Sequence, residues 1–220
     1  MELLNVGMAR SVWLFDMRDM NPHGKYIEAG FIEWLKSLYH FSKYPSSIYK
    51  RDENGGLSFE VGGFQVQENQ SVTVHLKVYN DGMVGETRSS THDTDTFIED
   101  VLRSAVQDLG LIYAPDMIRQ KLYVSDLHVR VKMSLNQLNP WINAFARKLT
   151  TLRGGDPPLN FELSSLRLSP EVHPPTMIAP FLFERQENTT PSEHRYFSRA
   201  PLHTDDHFKL LEEFETLLVG

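Results

Sequence analysis

A chain of 220 residues with 40% hydrophobic and 11% aromatic content has enough apolar surface for one large domain, or for a core domain with an appended arm, and excludes wholesale disorder. It has no cysteine, which excludes disulfides, thiolate zinc sites, iron–sulfur clusters and cysteine nucleophiles. The formal charge of −7 argues against general phosphate-backbone binding, yet residues 117–155 hold seven Lys/Arg against Asp126 alone, a local charge of +6.

Ser11 to Met17 is a continuous apolar run that reads as a buried strand, and Asn21-Pro22-His23-Gly24 is turn chemistry. A helix is expected from about Lys25 to Phe41, with Ile27, Phe31, Leu35 and Leu38 on one face and Tyr44-Pro45 ending it. The period then changes to two. Leu57–Val61 and Phe64–Gln67 flank Gly62-Gly63, which predicts a tight hairpin at the glycines. Ser71 to Tyr79 alternates cleanly, with Val72, Val74, Leu76 and Val78 on one face, and Asn80-Asp81-Gly82 turns it into a partner strand over 83–87.

The hydroxyl-rich stretch from Thr87 to Thr96 reads as a loop, followed by a helix from Phe97 to Leu109 with Thr96 and Glu99 at capping-box spacing and Gly110 as its C-cap. Lys121 to Met133 predicts a long strand. Asn139-Pro140 predicts a helix start, with Ile142, Phe145 and Leu149 inward and an end near Leu152. Asn160 to Leu168 alternates again. From 169 to 203 six prolines interrupt the chain; a short strand over 177–185 is expected there, and otherwise an extended arm. The chain closes with a helix from Thr204 to Leu218.

These elements predict an α+β fold: an antiparallel or mixed sheet with helices mainly on one face, plus the proline-rich arm and terminal helix. The expected division is a core over 1–168 and an arm with helix over 169–220, packed on the core or on a neighbouring subunit. The N-terminal residues lack a signal-peptide pattern, and no apolar window is long enough to span a bilayer. A cytoplasmic protein without a membrane partner is expected.

No phosphate-binding glycine loop, nucleophile elbow, zinc-protease helix or kinase signature occurs. Four constellations remain. His203, Asp205, Asp206 and His207 are good ligand types for a borderline divalent metal, but they also fit helix capping at Thr204. The stretch from Thr87 to Thr96 offers Arg88 to an anion, or His92, Asp93 and Asp95 to a cation. His75 and Lys77 on one strand and His128, Arg130 and Lys132 on another make a cationic, anion-binding surface if those strands are neighbours. The arm offers Phe181, Phe183, Tyr196 and Phe197 with Arg185, Arg195 and Arg199, aromatic and arginine residues of the kind that anchor interfaces.

The first functional expectation is a non-enzymatic protein that associates with itself or with a protein partner, as an assembly, scaffold or adaptor subunit. The alternatives are a metal-dependent hydrolase or nuclease using the 203–207 cluster, and an anion- or nucleotide-binding module. No cofactor is expected. The basic 117–155 segment leaves nucleic acid open, although the acidic chain disfavours it.

Overall fold

The computed structural model describes residues 1–21, 28–132, 134–157, 159–171 and 178–219. They form four α-helices and eight strands in antiparallel arrangement, an α+β fold. The chain divides into two compact units, Met8–Ser125 and Met1–Gly7 with Asp126–Gly220, so the boundary expected near 168 falls elsewhere.

The Met8–Ser125 unit holds most of β1 (Glu2–Leu14), α1 (Glu28–Tyr39), β2 (Leu57–Gln67), β3 (Gln70–Tyr79), β4 (Gly82–Thr87), α2 (Thr91–Leu109) and the start of β5 (Gln120–Arg130). Its strand order is β2-β3-β4-β1-β5. Trp13, Phe59, Leu76 and Met83 point to one face, where they meet Phe31, Leu35 and Tyr39 of α1 and Phe97, Ile98 and Val101 of α2 in a single core. The expected start of α1 at 25–27 and the turn at 22–24 lie outside the described residues.

Two local readings change. Gly62-Gly63 does not turn the chain. β2 runs through both glycines, Val61 takes a φ of 56° at a bulge, and the hairpin turns instead between Gln67 and Gln70. Gly62 is needed because a Cβ there would lie 2.6 Å from the Phe41 ring. Helix α2 begins six residues earlier than expected. Ser90 is its N-cap and accepts the Asp93 N–H at 3.0 Å. Thr91 and Thr94 are polar yet buried, and Thr94 Oγ1 lies 2.9 Å from the Ser90 carbonyl and 3.2 Å from that of Ala9. Glu99 serves no cap; it accepts from Tyr113 and Arg103.

The other unit contains the remaining residues of β1 and β5 with α3 (Pro140–Arg153), β6 (Ser165–Leu168), β7 (Phe181–Arg185), β8 (Arg195–Ala200) and α4 (Thr204–Val219). Its strand order is β1-β5-β8-β7-β6. Leu127, Val129, Phe183, Tyr196 and Leu211 form its core, with Phe208 and Phe214 of α4 packed against them. Part of the expected arm is therefore sheet. β7 lies inside the strand expected over 177–185, whose first residue is outside the described set, and β8 is an additional strand paired to it in register Phe183↔Ser198. Alternation explains β8: Tyr196, Ser198 and Ala200 are buried while Arg195, Phe197 and Arg199 are only half-covered. No helix among the described residues is long and apolar enough to cross a membrane.

Candidate interaction surface

The sequence at α3 gives the helix a firm start and stop. Asn139 Oδ1 accepts the N–H groups of Trp141 at 2.8 Å and Ile142 at 3.3 Å. Pro140 occupies the first turn, where its missing donor costs nothing. Gly154, at φ 63°, ends the helix and returns its N–H to the Thr150 carbonyl.

What α3 buries is unusual. Its inward side is Asn143, Ala146 and Thr150, at spacing i, i+3, i+7, and Ala146 is the single buried residue of the helix. Thr150 Oγ1 accepts the Phe161 N–H at 3.2 Å, tying this polar side down. The large apolar residues point the other way: Trp141 is 83% exposed, Phe145 67% and Leu152 74%. The expectation that Ile142, Phe145 and Leu149 face inward fails for Phe145, and the other two remain 38% exposed. A surface helix ordinarily turns its apolar stripe to the core and its polar side to water. Helix α3 does the reverse, which leaves a contiguous apolar ridge of the kind that marks interaction sites.

The charges agree with this. Helix α3 carries Arg147, Lys148 and Arg153 and no acidic residue. None of the three makes an ion pair among the described residues. By contrast, four of the five arginines on the strands of the same unit are in ion pairs among the described residues. Arg130 binds Glu2 at 2.7 Å, Arg185 binds Glu162, and Arg195 meets Glu193 at 3.3 Å. Arg199 forks onto both oxygens of Asp126 at 2.7 Å, and that hydrogen bonding raises its pKa further.

The arm residues expected at an interface divide. Phe183 is fully buried and stacked on Tyr196, with centroids 4.7 Å apart at 13°, so neither ring is available to a partner. Phe181 and Phe197 are half-buried. The Phe197 ring lies 5.6 Å from both the His128 ring and the Arg199 guanidinium.

His203, Asp205, Asp206 and His207 do not converge, and no group of three or more such side chains among the described residues is placed to hold a metal ion. Asp205 and Asp206 are exposed in the first turn of α4, while His207 is fully buried. His207 Nε2 lies 2.8 Å from Ser198 Oγ, which resembles a nucleophile and base. The hydroxyl's one proton is directed at the Leu182 carbonyl, 3.0 Å away. His207 must then donate to the oxygen rather than accept from it, and both groups are sealed from solvent. The pair is structural.

The two-signed reading of 87–96 also changes. Asp95 accepts from Trp13 Nε1 at 2.8 Å and from the Tyr123 hydroxyl at 3.0 Å, so it is a core anchor and not a cation ligand. Burial, then the neighbouring Asp95, pushes the Tyr123 hydroxyl well above its ordinary pKa. His92 and Asp93 lie in the first turn of α2, and Arg88 is exposed.

The cationic sheet face does not assemble as expected, because the neighbours of β3 are β2 and β4. His75 sits opposite Glu86, itself bound to Arg10, and Lys77 is paired with Asp52 at 3.3 Å. His75, Lys77 and Glu86 line a cavity of about 240 Å³ together with Glu60, so groups of both signs meet there. In the other unit, Arg130 is paired with Glu2, His128 leans on Phe197, and Lys132 is exposed.

Sequence reasoning missed Trp141 and Leu152. Their signal was the opposite side of the same helix, where Asn143, Ala146 and Thr150 are small and uncharged, while Lys148 lies next to the apolar arc. No family model matches the chain, and a comparison with curated proteins finds no relative.

Proposed function

We propose that the protein works by protein–protein association and that α3 is its docking element. The observation that carries this reading is the inverted helix: Trp141, Phe145 and Leu152 exposed above a small polar underside. Exposed Trp and Phe are costly to keep in water and are the residue types that dominate interface energies when covered. Lys148 lies on the ridge itself and Arg147 farther round the exposed surface of the helix, and neither makes an ion pair among the described residues, which favours an acidic partner surface and discourages neutral or basic ones.

The test places a photo-cross-linking amino acid at position 145 and, as a control of similar exposure, at Tyr49, which is 84% exposed in the other unit. On irradiation in cells, position 145 should give a discrete protein adduct that position 49 does not. The same faint, diffuse background from both positions would refute docking through α3.

A further inference from the structure

We infer that the partner of α3 is the C-terminal helix α4 of a second copy of this chain, the two helices running parallel in a two-fold exchange. This rests on the reading of α3 as a docking element and adds the identity of the occupant.

The inference comes from a match of pattern. The exposed ridge of α3 reads Trp141, Phe145, Lys148, Leu152, at i, i+4, i+7, i+11. Helix α4 buries Thr204, His207, Leu211 and Glu215, and leaves a second ridge on its far side: Asp206, Leu210, Glu213, Leu217. The spacing is the same, i, i+4, i+7, i+11, so both ridges are about 16 Å long at 1.5 Å per residue. Leu210 is 40% exposed and Leu217 76%.

Laid parallel, the ridges correspond position by position. Phe145 meets Leu210 and Leu152 meets Leu217, covering apolar surface on both sides. Lys148 meets Glu213, and the Trp141 indole N–H lies beside the Asp206 carboxylate. Antiparallel alignment sets Lys148 against Leu210 and Phe145 against Glu213, so charge and ring are mismatched. The wider fields agree: α3 has three cations and no acid, while α4 exposes Asp205, Asp206, Glu212 and Glu213 against Lys209. Since each copy carries both ridges, one two-fold axis satisfies two helix pairs and closes the assembly at a dimer.

The absence of native cysteine makes the test clean. Two forms of different tag length, Phe145→Cys and Leu210→Cys, are mixed under mild oxidation. A mixed disulfide should form in at least tenfold excess over the mixture of Tyr49→Cys with Leu210→Cys. Light scattering should give a dimer for the unmodified chain. Lys148→Glu should weaken that dimer about tenfold or more, since two contacts turn from attraction to repulsion, and Lys148→Glu with Glu213→Lys should restore it. Both substituted sites are exposed, so folding is checked directly by circular dichroism.

A dimer that ignores both charge reversals overturns the inference, as does a disulfide no faster than the control. A monomer in solution whose position 145 cross-links to a different protein also overturns it, while leaving docking through α3 intact. A monomer with no discrete adduct removes both.

Discussion

Two phenylalanines in one unit should behave oppositely, and the contrast tests the inverted helix directly. Phe183 is fully buried, stacked on Tyr196 and edge-on to Phe214 at 5.3 Å. Truncating such a ring to alanine costs about 3–5 kcal/mol, the lost transfer energy plus the cavity left behind. At about 2–4 °C per kcal/mol for a chain of this size, Phe183→Ala should lower the melting midpoint by roughly 6–20 °C. Phe145 is 67% exposed, so only a third of its side chain is removed from water. A fully buried phenylalanine is worth about 1.5–3 kcal/mol, and a third of that is about 0.5–1. Alanine returns roughly 0.5 kcal/mol through its higher helix propensity. Phe145→Ala should therefore melt within about 2 °C of the parent. The assay is a thermal melt by circular dichroism in dilute solution, where association does not contribute. If Phe145→Ala melts as early as Phe183→Ala, the ring is packed and the surface proposed on α3 does not exist.

Asn139→Ala should remove the cap of α3 at a cost of about 1 kcal/mol and speed amide exchange in the first turn of that helix before any other. Asp126→Asn should cost about 1–2 kcal/mol, read by chemical denaturation, because it halves the fork to a guanidinium that is already 41% exposed; a neutral result would mean solvent replaces the bond fully. For pH, hydrogen bonds from the Arg18 side chain and backbone hold Asp16 down at about 2, from an ordinary 3.8. A depressed carboxylate contributes its stabilisation above the unfolded value and loses it as pH falls through the folded one. Melting midpoints of the parent and Asp16→Asn should thus differ at pH 5 and converge between about 4 and 2; a gap that stays constant across that window refutes the assignment.

The fold was legible where one side of an element was plainly apolar. The alternation over 71–79 became β3, the capped start at Asn139-Pro140 became α3, and the terminal helix became α4. The misses share a physical cause: residues chosen for a tertiary contact carry the wrong local signal. Gly62 looks like a turn, but it is there to clear the Phe41 ring. Thr91 and Thr94 look like loop, but both are buried, and the Thr94 hydroxyl bonds to the Ala9 carbonyl of the neighbouring strand β1. Phe145 looks like core, because hydrophobic periodicity reports that an apolar face exists and not what covers it. The candidate site was correspondingly hard to read. Its distinguishing property is the underside of α3, and small uncharged residues there say little until the helix is placed.

The Met1–Gly7 and Asp126–Gly220 segments belong to one unit, with the whole of Met8–Ser125 threaded between them. During synthesis the inner unit has all its residues once position 125 has left the ribosome, whereas the first seven residues must wait for the second half of the chain. Nascent chains halted once position 125 has cleared the ribosomal exit tunnel should already resist proteolysis over 8–125 while still exposing their leading residues. By the same reasoning, a fragment beginning at 126 would lack residues 2–7 and leave one side of β5 short of its neighbour, so the outer half should be rescued only by supplying that missing peptide in trans.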